Sequence, residues 1–301
     1  MEPYTIDPAH QHENSIKLLG RFDAYRTAYK YVNSQPIHAF FIIPKQLPPG
    51  PRPLLVRFHG GGWTEGEAEA SLRPFFLELA LKHGAVILTP DYRLRPEHEL
   101  TEGIEDIRSF WKWVEQDAQQ VLRKSLPDLE LDVANLLVGG ESAGGHHAMQ
   151  TALLSMTTLP IKVLFVQYPV LDMASFLRLE DDPDEPGAEA FASSSAKVPY
   201  SVVEDHLAAL EPAWIDPMTS LETAGKLPPI LLYHSKGDES IPWTHTERWA
   251  TKLRELRPDV PLYLTFQTGD HVFDKNHTME TPWLKEPLEF VQKYWPAKQD
   301  A

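Results

Sequence analysis

The 301-residue chain contains no cysteine. That excludes disulfides, zinc–thiolate sites, iron–sulfur clusters and a cysteine nucleophile together. Positive charge is scarce: 28 Lys and Arg stand against 43 Asp and Glu, a formal net charge of −15. Such a surface repels phosphate backbones and anionic lipid, which argues against nucleic acid and membranes as partners. No stretch approaches about 18 consecutive apolar residues, so no membrane span is expected. The opening MEPYTIDPAHQHENS has neither the basic region nor the apolar core of a secretion signal. The closing AKQDA carries no sorting address. A soluble, cytoplasmic protein is the expectation. No motif encodes an oligomeric state, and a homodimer is allowed.

With 42% hydrophobic and 24% charged residues, the chain can bury a substantial core, so disorder on compositional grounds is not expected. Apolar runs of the buried-strand type recur: IHAFFIIP (37–44), LLVRF (54–58), AVILTPDY (85–92), LDVANLLVGG (131–140), IKVLFVQYPVLD (161–172), LPPILLYHSKGD (227–238) and VPLYLTFQ (260–267). Between and after them lie stretches of helical spacing, such as SLRPFFLELALKHG, GIEDIRSFWKWVEQDA, SAGGHHAMQTALLSM and IPWTHTERWATKLREL. This alternation builds βαβ units: an α/β fold with a mainly parallel sheet and helices on both faces, in one domain over residues 1–301. Residues 1 to about 35 are polar and mixed, with a weak helical pattern over Ser15–Tyr29. Residues 173–220 break the rhythm with the acidic LEDDPDEPGAEA and the helix-like SVVEDHLAAL. That is too long for an ordinary strand-to-helix loop. It reads either as a surface loop or as a cap over the strand ends, where open α/β sheets bind ligands.

GGESAGG (139–145) places Gly140, Ser142 and Gly144 in a G-x-S-x-G pattern, after the strand NLLV and before a helical segment. That is the context of a strained strand-to-helix turn that exposes a nucleophilic serine. A serine hydroxyl needs a base, and in this topology acid and histidine follow the serine on later strand ends. Asp238 closes the strand ILLYHSKG and His271 follows PLYLTFQ, so they are the candidate acid and base beside Ser142. Glu239 is the rival acid and His277 the rival base; Asp270 reads as a loop residue. His146 and His147 read as packing residues, and His234 and His245 as structural.

HGGG (59–62) follows the strand LLVRF. A carbonyl under attack becomes an oxyanion that needs fixed donors, and backbone N–H groups supply them without rearranging. Chain that must approach a substrate closely does so best without side chains, which fits Gly61 and Gly62, with Ala143 as the next donor. His59 is then a residue that fixes the loop by bonding to nearby backbone, and Trp63 and Trp214 are candidate substrate-binding aromatics. The phosphate-cradling spacings G-x-x-x-x-G-K-[ST] and G-x-G-x-x-G are absent.

Four stretches carry a family likeness: HGGGW (59–63), DYRLRPEHE (91–99), GESAGG (140–145) and YPVLD (168–172). By these the chain resembles the hormone-sensitive-lipase-like branch of the α/β-hydrolases, over about residues 36–295. The resemblance implies the α/β-hydrolase fold with a central sheet of about eight strands, and a small helical cap made by residues 1–35 and 173–220. It implies hydrolysis of small-molecule carboxylic esters through an acyl-enzyme, without a cofactor or metal. It carries nucleophile to Ser142, acid to Asp238, base to His271 and oxyanion donors to Gly61, Gly62 and Ala143. Asp91, Arg93 and Glu97 are expected to brace the loop beneath the site. Departures are Glu141 where many members have Asp, DESIP in place of D-P-L-x-D, and GDHVF in place of G-x-x-H-G-F. SKGDESIPW is closer to the G-D-x-x-V-P of peptidase-like and arylformamidase-like hydrolases. Amides, formamides, thioesters and lactones therefore stay open as substrates, as does acyl transfer or cyclisation. A ligand receptor on the same fold is the reading from another class; retention of His271 speaks against it.

Overall fold

A computed structural model describes residues 1–47, 49–176 and 213–296. Nine strands form one sheet in the order β1-β2-β3-β5-β4-β6-β7-β8-β9. These are β1 (Glu2–Tyr4), β2 (Phe22–Val32), β3 (Gln35–Pro44), β4 (Gly50–Phe58), β5 (Val86–Pro90), β6 (Leu129–Glu141), β7 (Ile161–Gln167), β8 (Ile230–Ser235) and β9 (Leu262–Gln267). From β5 across to β9 every neighbouring pair is parallel, while β2 is antiparallel to both β1 and β3, and β3 is antiparallel to β5.

The central runs are apolar throughout because both faces are covered. Alternate residues serve opposite sides. Leu54, Val56, Phe58, Leu136, Val138, Leu164, Val166 and Leu232 join one core, with Ile104, Ile107 and Phe110 of helix Leu100–Gln116 and Trp249 and Leu253 of helix Trp243–Leu256. Leu55, Leu137, Val163, Phe165 and Leu231 join the other, with Phe75, Phe76 and Leu79 of helix Pro74–His83 and Leu288 and Val291 of helix Lys285–Tyr294.

Nine strands agree with the expected sheet of about eight, but the N-terminal reading needs correction. The helical pattern over Ser15–Tyr29 holds only for helix Glu13–Leu19; Phe22–Val32 is a strand paired with β3. Near the sheet edge β2 is mostly half-buried, so no continuous apolar run marks it. Much of residues 1–35, read as a cap, thus belongs to the sheet. Most of the inserted 173–220 segment lies outside the described residues; its described ends are the short helix Met173–Phe176 and the stretch from Ala213. Asp216 ties these ends together, its Oδ1 accepting from the amides of Met173 (3.2 Å) and Met218 (3.0 Å).

In a parallel sheet all C-terminal strand ends lie along one edge. The ends of β4, β6, β8 and β9 therefore deliver His59–Trp63, Ser142, Asp238 and His271 to the same side of the molecule.

Candidate active site

Ser142 sits between β6 and helix Ala143–Leu153 with φ +55° and ψ −121°, a region few non-glycine residues occupy. The turn is held by Ser142 N–H donating to Gln167 O (3.0 Å) and His146 N–H donating to Ser142 O (3.1 Å). The flanking glycines are dictated by contact. A Cβ on Gly144 would fall 2.1 Å from Phe58 O, because the helix start packs directly on the end of β4.

His271 Nε2 lies 3.1 Å from Ser142 Oγ, and its Nδ1 lies 2.7 Å from Asp238 Oδ2. Asp238 is 4% exposed. Its Oδ1 accepts the amides of Ser240 and Ile241, both at 2.9 Å. Burial pushes this carboxyl up, but the adjacent His271 and His234 outweigh it and hold the group well below the usual carboxylate range. It stays ionised and orients the imidazole so that Nε2 faces the serine. The rival acid has a different place: Glu239 Oε2 accepts the backbone N–H of His271 at 2.7 Å, holding the main chain of the base and not its ring. The rival base His277 is turned to Trp283, whose Nε1–H donates to its Nδ1 (3.1 Å). Asp270 is exposed.

The glycine loop packs against the nucleophile. A Cβ on Gly60 would stand 3.3 Å from Ser142 Cβ, and Gly60 N–H points to Glu141 Oε1 at 3.4 Å. Gly61 has φ +114°, and its carbonyl accepts from the amides of Thr64 and Glu65, both at 3.0 Å. That tight turn leaves no room for a side chain, since a Cβ on Gly61 would meet Glu65 O at 2.0 Å. Among the described residues, the amides of Gly61, Gly62 and Ala143 donate to no protein acceptor. His59 is buried and braces this loop: Nδ1–H donates to Gly60 O (2.7 Å), and the ring stacks on Tyr92 at 4.3 Å. Burial pushes it down to about 3, so it is neutral and not a second base.

Behind the loop Arg57 and Glu141 form a buried ion pair, and Arg57 Nη1 also donates to Ala68 O (2.9 Å) and Ala70 O (3.0 Å). Asp91 Oδ1 accepts Ala68 N–H (2.9 Å), and Arg93 pairs with Asp106. Asp91 thus holds the stretch after the glycine loop, while Arg93 ties its own loop to helix Leu100–Gln116. Glu97 does neither: it is exposed, and Glu102 and Asp106 take the carboxylate role instead.

Trp63 is 4% exposed and meets the ring of His146 edge-on at 5.3 Å, beside the oxyanion loop. Trp214 is anchored differently. Its carbonyl accepts from Gln150 Nε2 (2.9 Å) and its ring lies under the Arg108 guanidinium, with no contact to the Ser142–His271 pair among the described residues. His146 and His147 are fully packed, as expected. Two positions in contact with this cluster escaped sequence reasoning. His234 reaches Asp238, and the only sequence signal is the H-x-x-x-D spacing across a strand end. Asp274 is held by Tyr168, Tyr233 and Arg73 and so anchors the loop that carries His271.

A family model described as alpha/beta hydrolase fold matches residues 55–274. The probable carboxylesterase M8 of Phoma sp. is 27% identical, over 89% of this chain and 94% of its own length. Part of the non-reducing polyketide synthase ascC of Acremonium egyptiacum is 30% identical over 56% of this chain, which corresponds to 8% of that protein. Among solved structures, a bacterial heroin esterase superposes with a TM-score of 0.71 at 20% identity, covering 93% of this chain and 86% of that one. With its strand order, serine turn and matching family model, the chain belongs to the α/β-hydrolase family.

Proposed function

We propose that this protein is a serine hydrolase that cleaves carboxylic esters of small molecules through an acyl-enzyme. The observation that carries the reading is the unbroken chain Asp238–His271–Ser142, at 2.7 and 3.1 Å, beside three uncommitted backbone amides. Oγ of Ser142 attacks the ester carbonyl while His271 Nε2 takes its proton. The carbonyl oxygen gains negative charge and accepts from Gly61, Gly62 and Ala143 N–H; each such donor contributes about 3 kcal/mol to lowering the barrier. The tetrahedral species collapses, the C–O bond to the alcohol breaks, and His271 returns the proton to the leaving oxygen. Water then repeats the sequence on the acyl-serine and frees the acid.

Trp63 is the substrate-facing aromatic of this reading, and Trp214 shapes the rim from the foot of the inserted segment. The described part of that segment, and helix Glu13–Leu19 at the other side, supply the cap. A cytoplasmic setting accords with the absence of cysteine, and no described helix is long and apolar enough to cross a membrane.

A second reading, attack on a thioester, is favoured by one observation: the similarity to part of a polyketide synthase. One panel tests both. We expect p-nitrophenyl acetate and butyrate to turn over faster than the long-chain esters, and faster than matched acyl thioesters and formyl amides. Faster thioester cleavage would favour the second reading, and turnover of none of these would contradict the first.

A further inference from the structure

The catalytic carboxylate has a second histidine on it. His234 lies on β8, fully buried, four residues before Asp238. Its Nε2 stands 3.1 Å from Asp238 Oδ2 and 3.0 Å from Ile241 O. An ionised carboxylate oxygen and a carbonyl oxygen both accept only, so Nε2 carries the ring proton and serves as donor to both. Thr246 Oγ1 lies 2.8 Å from Nδ1, and its hydroxyl donates to that lone pair. The tautomer is therefore fixed from both sides of the ring.

We propose that His234 is a positioning residue for the hydrolysis: by donating to Asp238 Oδ2 it fixes the carboxylate edge that His271 engages, and it sets how strongly that edge holds the base. The inference rests on the serine-hydrolase reading. Asp238 has four donors: two backbone amides on Oδ1, and the two histidines on Oδ2. The amides alone leave the carboxylate able to tilt about the bond to its Cβ. His234 removes that freedom, because it grips the other oxygen from the strand behind. It also shares the charge on Oδ2. A carboxylate that gives part of its charge to a second donor stabilises the charged form of His271 less, and the base releases its proton to the leaving group more readily. The order of groups is then Thr246, His234, Asp238, His271, Ser142, from the helix Trp243–Leu256 to the nucleophile.

Other ionisable groups facing this cluster stay constant in the variants that test it. They are Glu239 in the acid loop, His245 and Arg248 on the helix Trp243–Leu256, Tyr168 and Asp172 after β7, and Asp274 after the base.

The test uses the full chain with His234→Gln, His234→Asn and His234→Leu, each assayed on p-nitrophenyl butyrate from pH 5 to 8. Gln reaches about as far as the ring Nε2 and can still donate to Asp238; Asn is too short, and Leu has no donor. We expect His234→Asn and His234→Leu to lower kcat about ten-fold or more with KM nearly unchanged, the scale set by losing a hydrogen bond to a charged group. We expect both to move the acid limb of kcat/KM to higher pH, while His234→Gln stays close to the parent in both respects. If His234→Leu does not fold, the Gln and Asn pair decides alone. Equal loss in Gln and Asn, or parent-like kcat and acid limb in folded Asn and Leu variants, would overturn the proposal. Phosphonate labelling of Ser142 in the parent separates the two readings: a labelled parent with insensitive variants removes only the role of His234, whereas an unlabelled parent removes the hydrolase reading itself.

Discussion

A carboxylate in a protein interior is tolerated when its lone pairs are filled, and Asp238 illustrates how that requirement can also orient a neighbouring ring. Its four donors keep it charged, and one of them is the imidazole of His271, which on the proposed reading is the base. Glu239, next in sequence, holds the main-chain N–H of His271. The two neighbours therefore answer to different tests. Asp238→Asn, which turns an N–H toward His271 Nδ1 and reverses its tautomer, is expected to cost about 10⁴-fold in kcat. Glu239→Gln keeps an oxygen for the His271 amide and should cost less than about ten-fold, since a neutral acceptor replaces a charged one. A larger loss from Glu239→Gln would make it the acid. A second carboxyl makes a pH prediction. Burial pushes Asp91 up to about 7, with Glu69 and Glu67 adding to the effect against a backbone hydrogen bond from Ala68. The folded state then binds a proton that the unfolded chain, titrating near its ordinary value of about 4, has already lost. Stability contributed at this position is present below about pH 4 and declines as pH rises to about 7. Thermal melts of Asp91→Asn, whose amide oxygen can still accept from Ala68, should gain on the parent as pH goes from about 5 to 8. A difference that does not change with pH would contradict this.

At the scale of elements, the serine turn works because three segments share one small volume: the end of β4, the end of β6 and the start of helix Ala143–Leu153. Gly144 lies where they meet, and a methyl group there would overlap Phe58 O. Gly144→Ala is expected to lower Tm by about 5 °C or more and to remove activity, because overpacking moves the donors and nucleophile apart. Unchanged melting with activity intact would show that the turn has slack. The same segments explain what was legible in sequence. Strands buried on both faces announce themselves as continuous apolar runs, and the turn at Ser142 is flanked by glycines that contact demands. β2 was not legible, because an edge-proximal strand with half-buried faces shares its composition with a surface helix. Asp238 and His271 were singled out from their places after β8 and β9, and their side chains meet at 2.7 Å. The contact of His234 was not legible, because an H-x-x-x-D spacing alone does not reveal that the following turn folds Asp238 back onto it. Glu97 was misread for a related reason: a charged residue inside a motif looks like a brace, but partners are settled by tertiary packing, which gave Arg93 to Asp106.

Over the whole molecule, the parallel half of the sheet is the device that gathers the site. Residues 59–62, 142, 238 and 271 are far apart in the chain and meet only because β4, β6, β8 and β9 end on one side. Two buried ion pairs, Arg57–Glu141 and Arg73–Asp274, lie beneath that edge and tie the loops to the sheet. The central claim is that this gathering activates one hydroxyl. Intact-mass and peptide analysis after treatment with a fluorophosphonate tests it most directly. The account predicts a single adduct on the Ser142 peptide of the native protein, lost on heat denaturation and strongly reduced in His271→Ala. An adduct on a different serine, or equal labelling of Ser142 with and without the imidazole, would contradict it.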